Sequence, residues 1–367
     1  MPASGAPIRV CFTASEVHTL GGVPQFLARY VPRLRSKGLS VSVLAGAAPE
    51  GGSVPIEGLR AAPGLGKRFT LRGAVSMAAA LRRQPRETLL VGNSLTAALL
   101  TAVTAWALRR RSLFFVHGLT SRYKTGLAFI ACRLAELVAA GCSHGIVVLN
   151  EDDARALPTA RRVLAFAHGV EMPERPARKG PPPSPARLLC VARHEPQKNL
   201  EATFRALAAC RTPFTLTVVG EGALFDAHAA LIETLGLSGR VTLIRRLEPS
   251  QIPWAGHDVF LLCSRSEGMP LSLLEAFSHG LPAIVSDAPG LRGLVREGVT
   301  GIVVPSLTGA SLDAALAEVT ENYETLARAA HEEARRCFDI DASVERLAEI
   351  LRSAAPTPGR LAPPAGR

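Results

Sequence analysis

A chain of 367 residues is too long for one ordinary hydrophobic core and fits two domains of roughly 150 to 180 residues. Its seven cysteines (Cys11, Cys132, Cys142, Cys190, Cys210, Cys263, Cys337) stand singly, mostly in apolar runs, which speaks against a disulfide framework or a zinc cluster. The net charge of +11 is uneven: Met1–His168 carry 21 Lys and Arg against 8 Asp and Glu, or +13, and the remainder carries 21 against 23, or −2.

Such a one-sided field fits an anionic partner for the first half, namely nucleic acid, an anionic bilayer or a phosphorylated acceptor. General solubility in an arginine-rich proteome explains it equally well. Aromatic residues are 5% of the chain and no nucleic-acid motif accompanies the basic positions, so no nucleic-acid partner is expected. The amino terminus, MPASGAPIRVCFT, lacks a basic stretch followed by a long apolar core, so a cytoplasmic protein is expected.

In chain order, IRVCFT, SVSVLA, TLLVG, SLFFV and GIVVLN are short β-rich runs separated by helical patterns such as PQFLARYVPRLRSKG and LAFIACRLAELVAAG. They predict a doubly wound α/β domain over 1–172. Within it, Leu95–Leu108 is an apolar helix ending at Arg109, Arg110 and Arg111. Fourteen residues cannot span a bilayer, which leaves a core helix with cations at its dipole end or part of a membrane-surface face. The stretch ERPARKGPPPSP predicts an extended linker over 173–186. A second alternation follows over 187–340, with strands in ARLLCVA, FTLTVVG, RVTLI, HDVFLLC, PAIVSD and GIVVP. A last helix over 341–353 is expected to cross back to the first domain, ahead of a frayed tail at 354–367.

In open parallel sheets, ligands bind beyond the carboxyl ends of the strands. Four such places stand out. After the first strand, Gly21 and Gly22 precede a helix and suit close approach of a phosphate, although a glycine pair is ordinarily just a turn. His117 follows SLFFV at a strand end. Arg193 and Lys198 flank a proline-containing loop with Asn199 as a cap, two cations suited to a diphosphate or simply surface charge. The fourth place is SEGMPLSLLEAFSHGLPAIVSD, where Glu267 and Glu275 stand either side of a turn carrying Gly268 and Pro270. Pro270 is expected at the first helical position of a helix running to His279, whose amino end presents unpaired amides to an anion. Two glutamates around a helix start are, in isolation, ordinarily solvated charges or dipole partners.

Taken together, these residues resemble the retaining nucleotide-sugar glycosyltransferases of family 4, from Gly21 to Pro305. The resemblance implies the GT-B fold, two facing Rossmann-like α/β domains with the active site in the interdomain cleft. It further implies that Arg193, Lys198, Gly21, Gly22, Gly268, Met269, Pro270 and Leu271 hold the donor diphosphate. Glu275 would bind the ribose, and Glu267 and His117 would be catalytic, with Glu267 orienting the sugar and His117 stabilising it. His168 in HGVE departs from the family's usual asparagine at the crossover, and Arg245 and Arg246 stand where a glycine is typical.

Transfer from a nucleotide sugar needs charge neutralised on a departing diphosphate while the sugar becomes oxocarbenium-like. Arg193, Lys198 and a helix amino end supply that without a metal, and no cofactor beyond the nucleotide-diphosphate sugar is expected. The acceptor is expected to be a glycan, lipid-linked or otherwise, in bacterial polysaccharide or lipopolysaccharide biosynthesis. That would bring the basic first domain into peripheral contact with anionic membrane at its inner face. A nucleotide-sugar epimerase on the same scaffold and a noncatalytic nucleotide-sugar-binding protein are the rival readings.

Overall fold

The computed structural model describes residues 7–15, 21–46, 59–61, 70–174 and 184–356. Contacts divide the chain into one unit of Met1–Phe166 with Asp341–Arg367, and a second of Ala167–Ile340. The division precedes the 173–186 stretch because Val170 bridges to Asp339 and its amide donates to the Phe338 carbonyl at 2.8 Å, tying this segment to the second unit. Most of the proline-rich linker and the tail from residue 357 lie outside the described residues.

In the first unit the elements are β1 (Arg9–Ala14), α1 (Gly22–Ser36), β2 (Ser40–Ala45), β3 (Leu59–Ala61), α2 (Leu71–Arg82), β4 (Leu89–Gly92) and α3 (Leu95–Ala107). They continue with β5 (Ser112–Val116), α4 (Gly126–Cys142), β6 (Gly145–Val148), α5 (Glu151–Arg155) and β7 (Val163–Ala165). The strands form one parallel sheet in the order β3-β2-β1-β4-β5-β6-β7. Strands β4, β5 and β6 are buried along their whole length, as expected of strands covered on both faces, which is why they read as unbroken apolar runs. Gly92 is required where β4 turns into α3, since a Cβ there would stand 2.4 Å from the Ala98 Cα.

The second unit contains β8 (Ala186–Val191), α6 (Leu200–Ala208), β9 (Phe214–Val219), α7 (Phe225–Thr234), β10 (Val241–Ile244), β11 (Val259–Leu262) and α8 (Leu271–Ser278). After them come β12 (Ala283–Ser286), β13 (Gly301–Val304), α9 (Gly309–Glu321) and α10 (Tyr323–Cys337). Its parallel sheet runs β10-β9-β8-β11-β12-β13 around a core that includes Phe204, Phe214, Phe260 and Phe277. At the amino ends of β8 and β11, Arg187 grips the fully buried Asp258 through its backbone amide and a guanidinium fork at 2.9 to 3.1 Å. That pairing holds the two central strands in place. Strand order reverses between β8 and β11, which puts the loops at their carboxyl ends at the topological switch point of the sheet.

The last helix, α11 (Ile340–Ala354), packs on the first unit. Its Val344, Leu347 and Leu351 are buried, Ser343 Oγ lies 2.6 Å from the Tyr30 hydroxyl, and Glu345 pairs with Lys37 at 2.8 Å.

Candidate active site

In the second unit, the loop after β8 and the loop after β11 are laced together. Gln197 Nε2 donates to the Ser266 carbonyl at 2.7 Å, the Arg265 amide donates back to the Gln197 carbonyl at 2.9 Å, and Asn199 Nδ2 donates to the Cys263 carbonyl at 3.2 Å. This lacing sets the Lys198 ammonium 2.7 Å from Glu267 Oε1, with both side chains largely buried. Ser264 Oγ donates to the same oxygen at 2.5 Å and is itself buried. A carboxylate taken out of water needs such partners, so Glu267 is held in one orientation rather than free to swing. Arg193, at the other end of the loop, pairs with Glu195 and is exposed on one side.

A third loop clamps the second. The Glu267 amide donates to the Pro289 carbonyl at 2.9 Å, and Gly290 follows at φ +79°, a conformation L side chains rarely adopt. A Cβ on Gly290 would stand 1.9 Å from the Glu267 carbonyl oxygen, so glycine is the residue that lets these backbones meet. Gly268 is buried, Met269 accepts from the His168 amide through its sulfur at 3.2 Å, and Leu271 begins α8, whose first turn carries no acid. Its amino end therefore offers an uncancelled positive dipole. Glu275 sits in the fifth position of α8 and is half-buried.

Beside Arg193, the fully buried His194 meets His228 of α7 with their Nδ1 atoms 2.8 Å apart. Burial, then the neighbouring His228 and Arg245, push His194 down to about 4, so both rings are neutral and one donates to the other.

In the first unit, the comparable strand ends carry Ser15, Asn93 and His117. Asn93, buried after β4, donates from Nδ2 to the Thr13 and Val91 carbonyls at 3.3 and 3.1 Å. Its Oδ1 then faces His117 Nε2 at 3.0 Å. The His117 ring stacks on Phe115 at 4.3 Å and 7°, with Phe26 of α1 against its edge at 5.0 Å. Gly21 is the N-cap of α1 and Gly22 its first residue. Among the described residues a Cβ on Gly22 would meet nothing within 4 Å, so packing against them does not demand glycine there.

The structure thus brings Lys198, Glu267 and the head of α8 together in one unit, and groups His117 with Phe26 of the helix that Gly21 and Gly22 open in the other. Several sequence expectations change. Pro270 is the N-cap of α8 at ψ 114°, not its first helical residue, and the helix ends at Ser278 with His279 as C-cap. The extended ψ keeps Pro270 outside the helical spiral. Asn199 occupies the N-cap position of α6 at φ 54° but its side chain caps nothing there, being committed to Cys263 and, through Oδ1, to Arg265 at 3.2 Å. Arg245 lies 4.0 Å over the Phe225 ring and pairs with Asp226, while Arg246 pairs with Glu248 at 3.8 Å. Asn93, Ser264 and the His194–His228 pair were not singled out from sequence. The asparagine following TLLVG was the available signal; the others depend on contacts between distant segments.

Residues 171–336 match the family model described as Glycosyl transferases group 1. The lipopolysaccharide 1,6-galactosyltransferase of Salmonella typhimurium is 34% identical over 134 residues, 33% of this chain and 36% of that protein. The D-inositol 3-phosphate glycosyltransferase of Geodermatophilus obscurus is 30% identical over 237 residues, 57% of this chain and 52% of that one. The curated relatives it matches are covered over only 19% to 52% of their length. Among solved structures, Anabaena HepE in complex with UDP and glucose superposes with a TM-score of 0.76 at 18% identity, covering 94% of this chain and 100% of that one. Sucrose-phosphate synthase from Thermosynechococcus elongatus gives 0.77 at 18%, covering 94% and 98%. At such identity the likeness speaks for the fold, which is GT-B.

Proposed function

We propose that the chain is a family 4 glycosyltransferase, one that moves a sugar from a nucleotide-diphosphate donor to an acceptor hydroxyl with retention of configuration. The observation that carries this reading is the buried Lys198–Glu267 pair at the strand reversal, beside the head of α8. A cation and a carboxylate held by one network, next to a helix amino end, can divide a single ligand between them. Lys198, Arg193 and the amides from Gly268 to Leu271 take the diphosphate; Pro270 contributes shape but no amide. Glu267 holds hydroxyls of the transferred sugar, and Glu275 the ribose. In the first unit, His117 is anchored to Asn93 through one ring nitrogen, and the role assigned to it is to stabilise the transferred sugar, with Gly21 and Gly22 assigned to the diphosphate.

The bond from the sugar's anomeric carbon to the diphosphate oxygen breaks as the acceptor oxygen bonds that carbon on the same face, and the acceptor proton passes to the departing diphosphate. No enzymic nucleophile is needed. The two cations and the helix dipole neutralise the leaving charge in place of a metal. The names of the relatives support an acceptor in lipopolysaccharide or exopolysaccharide assembly, and a glycan on a lipid carrier is the acceptor class we favour.

The test is to screen UDP-, GDP- and ADP-sugars for thermal stabilisation, then to follow nucleoside diphosphate release with and without acceptor glycans. A matched donor at a hundred times its dissociation constant adds about 2.7 kcal/mol. Stabilisation by no donor, with no release, would overturn the reading; a new sugar nucleotide formed from donor alone would indicate epimerisation.

A further inference from the structure

Helix α4 wears its apolar residues on the outside. In a helix covering a sheet, the apolar stripe faces inward and polar side chains face water. Here every residue from 123 to 131 is exposed, and Leu127 (85%), Ile130 (51%), Leu134 (58%) and Val138 (44%) form one outward stripe at helical spacing, with Phe129 (44%) beside it. On α3, packed against α4, Val103 and Trp106 (62%) are exposed as well.

The two charged residues of α4 turn the other way. Glu136 is buried and accepts from the Ser121 amide and hydroxyl at 2.9 and 2.6 Å; Arg133 donates to the Ala156 carbonyl. The outward stripe therefore carries no charge, and cations stand at its ends. Lys124 is exposed at the head of α4, its ammonium 5.4 Å over the Tyr123 ring. At the foot, Arg111 and Arg161 are exposed and both act on His144, two residues past the helix. Arg109 is exposed just beyond α3.

We propose that this α4–α3 face is a docking surface for an anionic lipid bilayer, with Leu127, Phe129, Ile130, Leu134 and Trp106 entering the headgroup boundary and Lys124, Arg109, Arg111 and Arg161 meeting lipid phosphates. Two observations select lipid over a second copy of the chain. The same surface that is apolar along its middle is cationic at its margins, and Met1–His168 carry an excess of +13, so two such faces repel each other and attract an anionic sheet. Among the described residues no helix is long and apolar enough to cross a membrane, and the contact is one of surface. The assignment extends the lipid-linked acceptor reading, yet it is tested without any sugar donor, so its failure leaves glycosyl transfer standing.

The test is cosedimentation of the full chain with vesicles of phosphatidylglycerol and phosphatidylethanolamine, and with vesicles of phosphatidylcholine alone. Binding is expected to the first, weakened by salt, and weak to the second. The variant L127D/I130D is expected to reduce binding at least tenfold while its melting temperature and donor stabilisation match the parent. A K124E/R161E variant is expected to lose the preference for anionic lipid. Equal sedimentation of parent and L127D/I130D would overturn the proposal. So would a parent chain that ignores vesicles and is dimeric in solution, with L127D/I130D monomeric, since the face would then serve self-association.

Discussion

His117 Nε2 lies 3.0 Å from Asn93 Oδ1, and because Asn93 spends its amide group on the Thr13 and Val91 carbonyls, the ring nitrogen facing it is fixed as the donor. Asn93→Ala is expected to lower the transfer rate roughly tenfold, the value of about one good hydrogen bond, while leaving donor stabilisation unchanged. Rate and thermal shift measured on the same preparation check this; an unchanged rate would remove Asn93 from the positioning role.

Removing one member of the Lys198–Glu267 pair strands the other. Lys198→Ala leaves Glu267 buried with Ser264 for company, and a loss of about 2 to 3 kcal/mol in the second unit is expected from denaturant unfolding. The Lys198→Ala/Glu267→Ala double variant should lose less than the sum of the two single variants. Glu267→Ala on its own is expected to abolish transfer while still binding nucleoside diphosphate, and full transfer would refute its assignment to the sugar.

Gly290→Ala places a methyl group where the Glu267 carbonyl stands and forces a left-handed backbone on alanine. A cost of about 3 kcal/mol is expected, together with loss of transfer, because the loop carrying Glu267 is the part that must move. Differential scanning calorimetry and a transfer assay read both. Wild-type stability in this variant would mean the loops separate readily.

Acid should weaken the second unit. Burial, with a like-charged neighbour, pushes His194 and His279 each down to about 4, against about 6.5 for an unstrained histidine. Between those values the unfolded chain takes up protons the folded chain refuses, so stability is full above about pH 6.5 and falls as pH drops toward 4. Asp153 in the first unit works oppositely: burial raises it to about 6, so the folded chain gains from acid over the range below that. Emission from Trp254, stacked on His279 at 5.3 Å, reports the second unit, and its stability should fall from pH 7 to pH 5 by about 2 kcal/mol for each of the two histidines. A midpoint unchanged over that range would mean the histidines are already charged in the fold.

The long strands were legible because parallel strands covered on both faces are unbroken runs of Val, Leu, Ile and Phe. The three-residue edge strands β3 and β7 were not, since so short a run carries no periodicity. Helices α9 and α10 passed without a motif to announce them. At the site, residue types and strand ends were readable, but the Lys198–Glu267 bond joins positions 69 apart in sequence, and Asn93 acquires its importance only once three neighbouring strand ends are assembled. Helix α4 marks the same boundary: its apolar residues were plain, while the side they face is a property of packing.

Residues 341–354, made after the whole of the second unit, belong with the first 166. Synthesis therefore finishes the second unit while the first still lacks the partner of Tyr30 and Lys37. During that interval the older half of the polypeptide lacks the helix that buries Val344, Leu347 and Leu351, and a stop codon at position 341 would injure the half that is made first.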